Sequence, residues 1–490
     1  MTQKHVHFSS RLGFILSMMG IAVGAGNIWR FPRIVAQNGC GAFILLWLGF
    51  LFLWSIPLII IELSLGKLTK KAPIGALIKT AGKKYAWAGG FITLVTTCIL
   101  AYYSVIVGWG LSYFYYSVIG KIQPGKDFSL LWEMYHQGST PLWSHFISIG
   151  LAYLIIRKGI VQGIEKCNKI LIPAFFFCVL CLLLRSITLP GALCGIKQLF
   201  SFSKISLTNH KVWIEALTQN AWDTGAGWGL LLVYAGFATK KTGIVTNGAL
   251  TAICNNLVSL VMGIIVFATC ASLDVLGATQ LKDGLGSSSI GIAFVYLPEL
   301  FTRFPGSSHL TTLFSSIFFL AFSMAALSSM ISMLFLLSQT LSELGMKKYL
   351  AEISATFIAF ILGIPSALSL AFFTNQDTVW GIGLIVNGLI FIYAALVYGL
   401  RILKEKTIFS LPNDIHLNNY FDSIVKYLLP IEGLMLLGWY FYEGIFPTDG
   451  KWWNPISTYS LSSLLLQWLA GFAILWTLNQ KIYLKFIRNN

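Results

Sequence analysis

Two long apolar segments are each interrupted by the same tripeptide, Gly24-Ala25-Gly26 and Gly225-Ala226-Gly227, 201 residues apart. A polar side chain stands beside each, Asn27 in the first and Asp223 in the second. Backbone that leaves the helical pattern at bilayer depth exposes amides and carbonyls that lipid cannot satisfy, so such breaks persist only where they line a protein-enclosed cavity. A matched pair in two halves of a chain points to a transport site.

The rest of the sequence is that of a membrane protein. Of 490 residues, 56% are hydrophobic and 11% charged, and the 36 Phe, 16 Trp and 19 Tyr suit a lipid-facing surface with aromatic anchors at its edges. Hydropathy places spans at 12–36, 41–66, 87–119, 143–157, 168–187, 216–239, 245–273, 310–341, 348–373, 378–401, 424–447 and 459–482. The segment Lys67 to Lys84 holds six Lys, whereas Phe373 to Thr378 holds neither Lys nor Arg. This positive-inside pattern predicts twelve helices in the cytoplasmic (inner) membrane with both termini cytoplasmic. The first span lacks a cleavage site and reads as a retained helix. The formal charge of +16 is not gathered on one domain, so the expected partner is lipid, with no nucleic acid. The eight Cys, including Cys178 and Cys181 in one apolar segment, read as small buried hydrophobes.

Counting from the breaks, five helices begin with each, and two follow. Five is odd, so the second set enters from the opposite side. The expected fold is all-α: two inverted five-helix repeats with unwound helices 1 and 6, plus two extra helices. The divisions are 1–200, 201–405 and 406–490. The outer segment 274–309, which includes Gly284, Gly286, Gly291, Pro298 and Pro305, is either a helical lid or an ordered loop.

Motifs then narrow the class. Arg11-Leu12-Gly13-Phe14, Ala22 through Pro32, Asn38 through Phe43, Ile56-Pro57 with Glu62, Tyr102-Tyr103-Ser104 before Gly108-Trp109, Gln219 through Gly229, Asn255, and Ala325 through Ser329 occur in order. Together they closely resemble the neurotransmitter:sodium symporter family. The resemblance implies sodium-driven uptake and, for bacterial-type members, amino acid substrates. It implies two Na⁺ sites: one held by the Ala22 carbonyl, Asn27, Asp223, Asn255 and the substrate carboxylate; the other by the carbonyls of Gly20, Val23 and Ala325 with the hydroxyls of Ser328 and Ser329.

Asp223 departs from the hydroxyl usual at its place. A mid-membrane carboxylate is costly unless paired or ligating. Sodium ligation is the preferred role, beside a protonated structural acid or a contact to a substrate ammonium. Chloride-dependent relatives resemble one another in a tyrosine, a glutamine and two hydroxyls; here Trp47, Gln219, Asp223 and Ser259 stand instead. Asp223 would supply covalently the charge that chloride supplies elsewhere, so no chloride is expected.

By the same resemblance, the amides at Ala25 and Gly26 and the Tyr103 hydroxyl meet the substrate carboxylate. Ile21, Ala22, Ile99, Trp222, Asp223, Gly225, Trp228, Ser329 and Met333 complete the pocket. No acid occurs in residues 20–27, which argues against an amine lacking a carboxylate. The pocket suits a bulky hydrophobic or aromatic amino acid. Arg30 and Asp377 are the expected outer gate above Tyr103 and Trp222. Glu343 is the inner acid, with His5 or Lys4 as its partner and Phe8 in a customary tryptophan's place. Glu62 is expected to accept hydrogen bonds from the loosened sixth helix.

An enzyme would need a nucleophile with a base, or clustered metal ligands; the seven His fall in loops or near helix ends and no H-E-x-x-H occurs. The alternative function is a transporter-like amino acid sensor. The oligomeric expectation is a monomer or homodimer.

Overall fold

The computed structural model describes residues 6–272, 292–302, 307–409, 414–446, 451–455, 457 and 459–489. Among these, all regular structure is helical. In chain order the long elements are α1a (Arg11–Ala22), α1b (Ala25–Gln37), α2 (Gly41–Thr69), α3 (Lys83–Val118), α4 (Thr140–Ile156), α5 (Ile160–Ile187), α6a (His210–Asp223), α6b (Leu230–Gly236), α7 (Ile244–Ser272), α8 (Ser308–Glu343), α9 (Lys348–Leu368), α10 (Leu370–Tyr398), α11 (Asn419–Ile445) and α12 (Leu461–Asn489). Nine are continuous, apolar and long enough to span a bilayer, and α1a with α1b forms a span bent by 49°. Helix α4 joins the short helix Phe128–Gln137 at 79°. The pair α6a and α6b fills the place of the sixth span.

Each break has its own cause. In the first, Val23 and Gly24 are extended (φ −77° and −133°), so the chain simply straightens. Gly24 is required by crowding: a Cβ there would lie 2.8 Å from the Tyr103 hydroxyl oxygen. In the second, Gly225, Gly227 and Gly229 all adopt φ near +80°, a region open to glycine at little cost. The two Gly-Ala-Gly tripeptides therefore match in sequence and differ in backbone.

One expected connector is helix. Phe373 to Thr378 lies inside α10, and Ser369 alone separates it from α9, capping α10 by accepting from the Phe372 amide at 3.3 Å. The polar run there contacts protein: Asn375 donates to the Ser463 hydroxyl at 2.7 Å and Gln376 to Gln467 at 3.0 Å, both on α12. A polar helix face turned to a neighbouring helix looks like a loop when only hydropathy is read. Helix α12 is otherwise peripheral, with 11% of its most apolar window buried.

Residues 274–291 and 303–306 of the expected lid lie outside the described residues. Within the rest, 292–302 are helical, and Phe294 is fully buried, stacked on Trp132 at 5.0 Å between ring centres. At the end that carries the N-terminus, Phe8 is buried against Phe14 and Tyr234, and its amide donates to the Phe237 carbonyl at 3.0 Å. His145 is more interior than expected: it is fully buried, with Nδ1 3.0 Å from the Ser104 hydroxyl and Nε2 3.0 Å from the Phe360 carbonyl.

The free amides that begin α7 are satisfied from a distant loop. Asp414 accepts from the amides of Ile244, Val245 and Thr246 at 2.5, 3.0 and 3.0 Å, and from the Thr246 hydroxyl. Burial works against its charge, but these hydrogen bonds prevail and hold its pKa below the ordinary value. A carboxylate whose folded pKa is depressed stabilises above its unfolded pKa, and that stabilisation is lost as pH falls through the folded one. Asp414→Ala should lower the melting temperature of the detergent-solubilised protein by several degrees at pH 7, on the order of 1–2 kcal/mol for a lost helix cap. The gap from wild type should narrow below about pH 4, the ordinary carboxylate range.

Candidate functional site

The two breaks meet. The cavity between them, of about 100 Å³, is lined by both interrupted segments and by α3, α8 and α10. Ile21, Ala22, Ala25, Gly26, Tyr103, Trp222, Asp223, Gly225, Trp228, Ser329 and Met333, all expected from sequence, line it. Ile99 does not; it is fully buried on α3, one turn from Tyr103 and outside the lining. Tyr102, Ile106, Gly381 and Leu384 line the cavity and were not foreseen. A Cβ on Gly381 would come within 2.7 Å of the Trp222 ring, so this glycine makes the space that the indole fills.

Glu62 is fully buried on α2 and accepts from the amides of Gly227, Leu231 and Leu232 at 2.9, 3.0 and 3.2 Å. It thereby caps α6b and satisfies the second break, as expected. Thr96 assists from α3 by donating to the Trp228 carbonyl at 2.7 Å. In the first break, Asn27 Oδ1 accepts the Gly24 amide at 2.8 Å and Tyr103 Oη accepts the Ala25 amide at 3.1 Å. The Ala25 amide, expected to be free for a carboxylate, is thus engaged by Tyr103. A phenol that accepts from backbone keeps its own hydrogen to donate into the cavity.

Next to Asn27 is an oxygen-rich cluster. Asp223 Oδ2 accepts from the Ser259 hydroxyl at 2.9 Å and Asn27 Nδ2 at 3.1 Å. The Asn255 amide reaches the carbonyl oxygens of Ala22 and Asp223 at 2.9 and 3.2 Å, and its nitrogen can donate to them. These oxygens are hard donors of the kind that suit Na⁺, and the cluster fits the first expected set.

The second set also converges. The Ser329 hydroxyl lies 3.1, 3.4 and 3.5 Å from the carbonyl oxygens of Gly20, Val23 and Ala325. Ser328 lies beside it and donates to the Ala325 carbonyl at 2.8 Å. One hydroxyl has one hydrogen to give, so Ser329 can serve only one of these carbonyls at a time, and the oxygens converge where a cation would fit.

Of the expected chloride-site positions, Trp47 and Gln219 are fully buried, and Ser259 points its hydroxyl at the Asp223 carboxylate.

The outer gate differs from expectation. Arg30 and Asp377 both border the cavity and the vestibule above it, which measures about 660 Å³. They form no ion pair within 4.0 Å among the described residues; the Arg30 guanidinium lies over the Trp222 ring, 3.7 Å from its centre. The indole face offers the cation a partner on its own side of the opening. For the inner acid, Glu343 accepts the Ala72 amide at 2.9 Å; His5 and Lys4 lie outside the described residues. Sequence reading missed Glu165, which is 1% exposed on α5 and gathers the N-terminal segment. It accepts from the Ser9 amide at 2.7 Å, from the Ser9 and Ser10 hydroxyls, and pairs with Lys169 at 2.7 Å. A Cβ on Gly13 would fall 1.9 Å from its Oε1, so the approach requires glycine.

A central cavity between two unwound helices, bordered by a charged vestibule with which it shares Arg30, Trp222 and Asp377, defines a multi-pass membrane transporter rather than an enzyme. The model of the sodium:neurotransmitter symporter family matches residues 5–132 and 126–424, and the chain belongs to that family. It is 33% identical over 370 residues to an uncharacterised sodium-dependent transporter of Methanocaldococcus jannaschii, covering 72% of this chain and 73% of the relative. A second uncharacterised sodium-dependent transporter, from Bacillus subtilis, is 30% identical over 374 residues, covering 75% and 79%. The fold is similar to that of MhsT in complex with L-phenylalanine, with a TM-score of 0.78 and 27% identity over 88% of this chain and 99% of that one. The chain is a sodium-dependent transporter.

Glu62→Gln would turn an amide donor toward backbone donors. It should weaken Na⁺-dependent substrate binding about tenfold or more, as expected for a buried polar mismatch, while Glu62→Asp should recover part of the loss. Equilibrium binding of labelled substrate to purified protein checks this.

Proposed function

We propose that this chain carries a bulky hydrophobic or aromatic amino acid into the cytoplasm together with Na⁺, without chloride, across the cytoplasmic membrane. The observation that carries the reading is the meeting of both helix breaks on one cavity, with an oxygen cluster at each of the two expected sodium sets. The substrate carboxylate would meet the Tyr103 hydroxyl and the Gly26 amide, next to the first sodium set. Contact between carboxylate and cation couples the two fluxes directly, because neither is held well without the other. Trp222, Trp228, Ile21, Ile106, Met333 and Leu384 surround the side chain with apolar and aromatic surface. The L-phenylalanine bound in the MhsT complex supports that substrate class.

Asp223 supports chloride independence. Its carboxylate takes the Ser259 and Asn27 donors at the place where an anion would need them, and a second anion there would meet like-charge repulsion in a medium of low dielectric. With substrate and Na⁺ bound, α1b and α6a draw toward α10, Arg30 leaves Trp222, and the outer side closes. Release toward the cytoplasm requires α1a to leave the Glu165 contacts.

The test is uptake of the twenty amino acids into liposomes under inward Na⁺ or K⁺ gradients. Concentrative uptake of one hydrophobic class with Na⁺ alone is expected, and it should persist when gluconate replaces Cl⁻. Binding without Na⁺-driven uptake would replace this reading by a sensor. Tyr103→Phe should raise the half-saturating substrate concentration about tenfold, the loss of a hydrogen bond to a charged group. Asp223→Ser should make transport depend on added Cl⁻; equal activity of this variant in chloride and gluconate would overturn the role given to Asp223.

A further inference from the structure

Hydroxyls buried in these helices generally spend their hydrogen on the carbonyl one turn back. Thr93, Thr97, Thr251 and Ser323 donate to the carbonyls of Gly89, Thr93, Asn247 and Phe319 at 2.7–3.0 Å. Ser17, on α1a, does not. It is fully buried and its hydroxyl has no hydrogen-bond partner among the described residues. On the facing helix α5, Asn168 is likewise fully buried with neither the oxygen nor the nitrogen of its amide partnered. Buried polar atoms are satisfied in the great majority of cases, and an unsatisfied one calls for a ligand, ion or water.

The two orphans lie on one interface. Gly13, Ser17 and Gly20 recur at helical spacing and share a face of α1a. Gly13 meets Glu165, and a Cβ on Gly20 would lie 2.9 Å from Asn168 Oδ1 and 3.3 Å from Ser328 Cβ. Ser17 therefore falls between the Glu165 clamp and the second sodium set, with Asn168 beside that set. Two oxygens lacking partners follow the carbonyls of Gly20, Val23 and Ala325, which converge on Ser329, in the direction of the N-terminal segment.

We propose that Asn168 Oδ1 and Ser17 Oγ form a further cation-binding position, a staging point that takes Na⁺ from the second set and holds it, partly hydrated, while the clamp at Ser9 and Ser10 is closed. The proposal rests on the reading of Gly20, Val23, Ala325, Ser328 and Ser329 as a sodium site. Neutral oxygens in a buried apolar interface suit a monovalent ion that keeps some of its water. No carboxylate other than Glu165 faces this interface in the contacts described, and Glu165 is occupied by Ser9, Ser10 and Lys169. The arrangement also explains why α5 carries an amide at a helix position that packing alone would fill with an apolar residue.

The experiment is Na⁺-dependent thermal stabilisation of the purified full chain, with equilibrium binding of radioactive Na⁺, for wild type, Asn168→Ala, Ser17→Ala and Ser329→Ala. Wild type should be stabilised by Na⁺ over choline, and Ser329→Ala should blunt this. Absence of both effects would remove the sodium-site reading itself. Given those two results, Asn168→Ala should raise the half-saturating Na⁺ concentration about fivefold and Ser17→Ala by a smaller factor, the scale of one lost polar contact. It should also speed Na⁺ dissociation. An unchanged Na⁺ dependence in Asn168→Ala, within about twofold, would overturn the staging point and leave the second site standing. A rise in choline stability without a change in Na⁺ dependence would do the same, since it is the signature of removing a polar atom that had no ligand. If the alanine variant does not fold, Asn168→Leu also removes the oxygen, fills more of the space and is read in the same way.

Discussion

Nothing in this fold works unless the interrupted backbone at mid-membrane is satisfied without water. The protein meets that requirement asymmetrically. The second break is held by one fully buried carboxylate, Glu62, that takes three amides at once. The first is held by neutral groups, Asn27 Oδ1 and Tyr103 Oη, that take one amide each. At the first break the carbonyls of Gly20 and Val23 converge on one hydroxyl, that of Ser329, whereas at the second the Trp228 carbonyl is met by Thr96. Helix unwinding and cavity formation are therefore one physical arrangement described two ways.

That arrangement was largely legible in the chain because its parts are rare in apolar sequence. Glycine pairs, an asparagine, two carboxylates and a serine pair inside membrane spans each cost stability, and the cavity gathers Gly24, Asn27, Glu62, Asp223, Ser328 and Ser329 around it. Ile106 and Leu384 were not legible because an apolar residue facing a cavity and one facing a neighbouring helix have the same chemistry. Ile99 shows the converse error: it lies one turn along the same helix and packs into the core. Glu165 had no local motif to mark it. Its meaning comes from Ser9, Ser10 and Gly13, more than 150 residues earlier.

Boundaries failed where polarity had two meanings. Asn375, Gln376 and Asp377 look like a loop, yet two of them tie α10 to α12 and the third faces the vestibule. The twin Gly-Ala-Gly tripeptides carry a similar lesson. Gly24 is there for lack of a side chain, and Gly225 and Gly227 for their left-handed backbone, and no inspection of the tripeptide separates these reasons.

The separation of Arg30 from Asp377 gives the mouth of the cavity an electrical polarity. A closed ion pair is nearly neutral at a distance, whereas a guanidinium resting on Trp222 and a carboxylate on α10 set up a field across the opening. Low-dielectric walls concentrate such a field. The amino acid proposed as substrate is a zwitterion, a dipole on which such a field exerts a torque that turns its carboxylate toward α1b and its ammonium toward α10. On that reading the opening orients the solute before any side-chain pocket is reached.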